Sequence, residues 1–124
     1  MGSAEVLRET RQVTDADSAE RWGNVGLPVL STPAILGTVE VLCDALMKKH
    51  LDAGQMTVGV SATMQHRAPV KVGRTIEYEI SAPAFARRME FSFRVLDEAG
   101  EAVSVGTHER AVIDVQKFTS RLAD

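Results

Sequence analysis

The stretch from Ser31 to His50, STPAILGTVEVLCDALMKKH, decides how the rest of this chain is read. Thr32 and Pro33 mark a helix start, because a capping hydroxyl accepts from a free backbone N–H and an early proline gives up no hydrogen bond. Lys48, Lys49 and His50 put cations at the negative end of the helix dipole. Between these ends Ile35, Val39, Leu42 and Leu46 recur at helical period, and Leu36, Cys43 and Met47 widen the stripe. So broad an apolar surface predicts a helix wrapped by other structure. Glu40 falls inside the stripe, with Leu36, Gly37, Cys43 and Met47 around it at helical spacing. The expectation is a carboxylate held in a dry pocket.

Working outward, the segment before the helix is irregular. Glu5 to Val13 reads as a first strand, and Thr14 to Arg21 as a polar loop or short helix. Trp22 to Leu30 holds Gly23, Gly26 and Pro28, which interrupt regular structure, and it leads straight into the helix. After the helix, near Leu51, the period changes to two. Val58, Val60, Ala62 and Met64 alternate through Thr57 to Gln65; Ile76, Tyr78 and Ile80 through Thr75 to Ser81. Met89, Phe91, Phe93 and Val95 do so through Arg87 to Leu96, and Asp97 to Gly100 reads as a hairpin turn into a last strand, Val103 to Val115. Phe118 is placed to anchor the tail. One strand, one long helix and four further strands do not alternate as βαβ units would. They predict an α+β domain, an antiparallel sheet of about five strands curled around a central helix, with residues 1–124 as a single unit.

Composition narrows the function. A chain of 124 residues, 44% hydrophobic, is large enough for a real core. A net charge of −3 argues against nucleic acid as a partner. One cysteine forms no intrachain disulfide, and no apolar run nears the roughly 20 residues of a membrane span. With no apolar signal core, and with Met1-Gly2-Ser3 set aside as a possible expression scar, the expected location is cytoplasmic. His66, His108 and Glu109 make no spaced metal-ligand set, so no metal is expected. A Gly-x-Ser-x-Gly elbow and a dinucleotide fingerprint are both absent.

Each candidate side chain also has a plain structural reading. Thr32 can be a helix cap, and Glu40 can face solvent beside an Asp44–Lys48 pair. His108 and Arg110 share one face of the last strand, either pairing with Glu77 or Glu90 or bracing a site. Cys43 reads as a small core residue with a raised thiol pKa.

Four pieces carry a family resemblance: Thr32 with Glu40, Gly59 to His66, the turn Ala68-Pro69 to Gly73, and Gly106-Thr107-His108-Glu109-Arg110-Ala111-Val112-Ile113. They resemble the hotdog-fold thioesterases, within them the fluoroacetyl-CoA thioesterase-like group, from about Leu27 to Phe118. The resemblance implies a catalytic threonine, a glutamate eight residues on and a histidine twenty-six further, intervals met here by Thr32, Glu40 and His66. It also implies a substrate-side glycine at Gly59. Where the fluoroacetyl-specific enzyme closes its acyl pocket with phenylalanines, this chain has Asn24 and Leu27, so ordinary acyl-CoA hydrolysis is the inheritance.

The chemistry suits those residue types. Thioester hydrolysis needs water or a carboxylate to attack the carbonyl and donors for the developing oxyanion. Glu40 would be base or nucleophile, Thr32 and His66 would assist, and Gly59, Leu27 and Arg110 would meet the substrate. Coenzyme A is then part of the substrate and no cofactor is needed. Eight helical residues span about 12 Å, so Thr32 and Glu40 on one straight helix cannot touch. A fold-back at Thr32, a bridging substrate or a partner subunit resolves this, and the resemblance implies a homodimer, with a tetramer of paired dimers as the alternative. A non-catalytic acyl-CoA-binding hotdog protein and a hotdog hydratase are the alternatives.

Overall fold

The computed structural model describes residues 4–122. Its elements are β1 (Glu5–Gln12), α1 (Thr32–Lys48), β2 (Gln55–His66), β3 (Thr75–Ala82), β4 (Arg88–Leu96), β5 (Ala102–Asp114) and a short α2 (Val115–Ser120). Two 3-10 turns, Asp15–Asp17 and Ala19–Trp22, lie in the segment before α1. The strands form one antiparallel sheet in the order β1-β3-β4-β5-β2. The sheet packs around α1 as the period change predicts, and the fold class is α+β.

Residue choice explains the layers. Along β4, Met89, Phe91, Phe93 and Val95 are buried while Arg88, Glu90, Ser92 and Arg94 face out. From α1 the buried set is Ile35, Val39, Leu42, Cys43, Leu46 and Met47, and with the inner faces of β3 and β4 it makes one core. Phe91 is completely buried there, and its truncation to alanine would cost about 3–5 kcal/mol.

The start of α1 differs from the expectation by one residue. Ser31 is the cap, its hydroxyl accepting from the Ala34 N–H at 3.2 Å. Thr32 is the first helical residue, so its own hydroxyl is not consumed in capping.

The alternation expected along β2 also breaks. Gly59 pairs with Arg110 on β5, and the next pair is Ser61 with Glu109, which leaves Val60 as an extra residue in a bulge. Thr57, before the bulge, is buried, whereas Val60 is exposed. Beyond it Ala62 lies opposite buried His108, Met64 packs on the core, and His66 lies opposite buried Ser104. The face toward the helix is therefore Thr57 and Gly59, then Ala62, Met64 and His66. β2 ends the sheet, and its other edge is free among the described residues.

Candidate active site

The structure gathers the expected residues into two groups. In the first, Thr32 Oγ1 lies 3.2 Å from His66 Nδ1, joining the first turn of α1 to the last residue of β2. The freedom of the Thr32 hydroxyl follows from capping by Ser31. Partial burial of the imidazole pushes the His66 pKa down, and a backbone hydrogen bond with Ala68 opposes this more weakly.

The second group forms around Glu40. The inner side of Gly59 faces it: a methyl group placed there would lie 3.5 Å from Glu40 Oε1, 3.6 Å from Arg110 Nη1 and 3.3 Å from His108 Cε1. The bare glycine thus leaves room for three polar side chains, as close approach to a reacting group requires. Arg110 is buried, and its Nη1 lies 3.6 Å from Glu40 Oε2. Its Nε donates to Thr57 Oγ1 and its Nη2 to the Thr57 carbonyl, both at 2.9 Å, while Asp44 Oδ1 is 3.8 Å from Nη2. Thr57 also donates to Asp44. A cleft of about 290 Å³ opens beside this group, lined by Glu40, Gly59, Val60, Ser61, Ala62 and His108.

Two expectations change. Glu40 is not in a dry pocket within one chain, since its side chain is 56% exposed. It sits at the border of the buried stripe, next to exposed Gly37 and Val41, rather than inside it. Arg110 does not pair with Glu77 or Glu90; it turns inward to the two helix carboxylates, and across the sheet its neighbour is Met89. Leu27 lies in the loop before α1, half exposed, its carbonyl accepting from the Ser18 hydroxyl.

The two groups are far apart in one chain. Along β2, at about 3.3 Å per residue, Gly59 beside the Glu40 group and His66 of the Thr32 group stand roughly 20 Å apart, and along α1 Glu40 and Thr32 stand about 12 Å apart. Thr57 is outside the candidate set that the sequence offers, and Asp44 enters it only as a surface partner of Lys48, four residues after Glu40; in the structure both stand against Arg110. Cys43 is a core residue as expected, its thiol pushed up to about 12 by burial, with Arg110 opposing and Glu40 reinforcing the shift. Among the described residues no cluster of histidine, cysteine and acidic side chains is arranged to hold a metal ion. No helix among the described residues is long and apolar enough to cross a membrane.

An antiparallel sheet rolled around one long helix, with polar groups where the helix meets the end strand, is the architecture of the hotdog-fold thioesterases. The sequence model of the fluoroacetyl-CoA-specific thioesterase family matches residues 13–116. The chain belongs to that family and is a thioester hydrolase. It is 30% identical over 95 residues to the fluoroacetyl-CoA thioesterase of Streptantibioticus cattleyicolor, covering 76% of this chain and 68% of that one. The fold is similar to a crystal structure of a fluoroacetyl-CoA-specific thioesterase mutant, with TM-score 0.86 and 22% identity over 98% of this chain and 95% of that one. It is also similar to a hot-dog-like protein from Thermanaerovibrio acidaminovorans, with TM-score 0.85 and 23% identity over 98% and 88% of the two chains.

Proposed function

We propose that the protein hydrolyses small or medium acyl-CoA thioesters in a homodimer whose two sites each draw on both subunits. The observation that carries this reading is the split just described: Thr32 with His66 at one end of β2, Glu40 with Gly59 further down it. Two copies of an unpaired end strand can pair antiparallel about a two-fold axis. If Gly59 lies opposite the partner's His66, symmetry joins each Glu40 group to a Thr32–His66 pair. The half-exposed Glu40 is then covered, and exposed Val41, Met56 and Val60 gain a partner.

In such a site Glu40 attacks the thioester carbonyl or draws a proton from water that attacks it. The backbone N–H groups around Gly59 face the developing oxyanion without a side chain between. Thr32 holds the His66 ring through Nδ1, leaving Nε2 to meet the departing thiolate or the attacking water. Coenzyme A thiolate is a fair leaving group, so the demand on His66 as an acid is modest. Cys43, buried and with its proton tightly held, is no competing nucleophile.

Asn24 and Leu27 stand where the fluoroacetyl-specific relative closes its pocket with phenylalanines, and this supports ordinary acyl groups over a fluorinated one. The test is free-thiol release from a panel of acyl-CoAs. Turnover abolished by Glu40→Gln supports the hydrolase. Tight binding without thiol release, unchanged by Glu40→Gln, would make the protein an acyl-CoA binder, and water addition to an enoyl-CoA would make it a hydratase.

A further inference from the structure

His108 lies behind the reacting groups, 2% exposed, and its two ring nitrogens have different neighbours. Nδ1 is 2.9 Å from the Ser61 carbonyl, which only accepts. Nε2 is 3.2 Å from Arg110 Nη1, which only donates. The pair of contacts assigns the Nδ1–H tautomer, with the Nε2 lone pair turned to the guanidinium. Ser61 is the first residue after the Val60 bulge, where the ladder is locally interrupted. Arg110 is then fixed on three sides: by Thr57 Oγ1 at Nε, by the Thr57 carbonyl at Nη2 and by His108 at Nη1. The remaining direction of Nη1 is Glu40, at 3.6 Å.

We infer that His108 is a positioning residue for the hydrolysis: it accepts from Arg110 Nη1 and so holds the guanidinium where it sets the Glu40 carboxylate beside Gly59. This inference rests on Glu40 being the reacting carboxylate. His108 lines the back of the cleft, and the role inferred for it runs through Arg110. Removing its acceptor leaves Nη1 held only toward Glu40, so the guanidinium tilts about its two Thr57 bonds and Glu40 follows by a fraction of an ångström. Such displacement reduces the rate of the chemical step while leaving the binding of the coenzyme A portion unchanged.

Two substitutions separate this role from that of a strand anchor. His108→Gln places a carbonyl oxygen near the Nε2 position and keeps an acceptor for Arg110. His108→Asn places an amide near the Nδ1 position and keeps only the Ser61 contact. The expected result is kcat retained within about threefold in His108→Gln and reduced about tenfold or more in His108→Asn, with KM nearly constant in both. Equal losses in both variants that follow their melting temperatures, or loss in His108→Gln with retention in His108→Asn, would overturn the inference. Glu40→Gln, assayed alongside, keeps the two claims apart. Full activity in that variant removes the role of Glu40 itself, whereas an inactive Glu40→Gln with undiminished kcat in folded His108→Asn removes only the role of His108.

Discussion

Gly59 and His66 face the helix from the same strand although seven residues separate them, an odd interval that regular pleating would divide between opposite faces. The extra residue at Val60 restores the match. Deleting Val60 should therefore leave a regular ladder with both residues still facing α1. The chain is expected to fold, with a melting temperature within about 5 °C of wild type. The strand shortens by one step and the Ser61 carbonyl leaves His108, so thiol release should fall about hundredfold. Circular dichroism and turnover measured together check this, and loss of the fold would mean Val60 is a pairing residue.

Ser31 and Thr32 divide two tasks between adjacent hydroxyls. Ser31→Ala removes the helix cap and should cost about 1 kcal/mol of stability. Thr32→Ala removes the hydroxyl on His66 and should lower kcat about tenfold or more with little change in stability. Thr32→Ser should restore most of the rate. Denaturant melts and steady-state kinetics on the three variants give the comparison.

Two glycines should respond oppositely to a methyl group. In Gly59→Ala the new carbon is 3.3 Å from the His108 ring, which has to give by a few tenths of an ångström, and 3.5 Å from Glu40 Oε1, where it fills the space beside the carboxylate. The expected outcome is a folded protein with turnover reduced about tenfold or more. In Gly106→Ala the carbon would stand 2.1 Å from the Thr63 carbonyl oxygen and 2.7 Å from the Phe93 ring. Backbone has to move there, and a loss of about 3 kcal/mol or more is expected in urea melts.

His66 carries the pH prediction. Burial lowers its pKa from the ordinary 6.5, so the folded chain favours neutral imidazole. This group costs no stability above that pH; the cost grows as acid protonates the unfolded chain first. A carboxylate brought to the ring by a partner would act the other way. His66 should therefore titrate below 6.5 in Glu40→Gln and at higher pH in wild type. NMR of the imidazole protons reads both values, and identical titrations would exclude a Glu40–His66 contact.

Much of the scaffold is written plainly in the chain. β3 and β4 announce themselves because one face is fully buried, and α1 because its stripe is broad. The bulge is not legible, since one extra residue changes which face is inward without changing composition. Thr57, Val58 and Val60 are accordingly the residues whose facing the alternation gets wrong. Glu40 reads as buried because its helical neighbours are apolar, yet a helix packed against one sheet still has a border, and Glu40 stands on it. That Arg110 faces inward could not follow from strand period alone, because what draws it in are carboxylates from a different element.

The division of the site between subunits is tested most directly by complementation. Glu40→Gln and His66→Ala chains, each expected to be inactive alone, are co-expressed with different tags and the mixed dimer is isolated by sequential affinity steps. In that dimer one site has lost both groups and the other has kept both, so the account predicts about half of wild-type thiol release. Activity no higher than that of either parent would place Glu40 and His66 in the same chain's site and contradict the account.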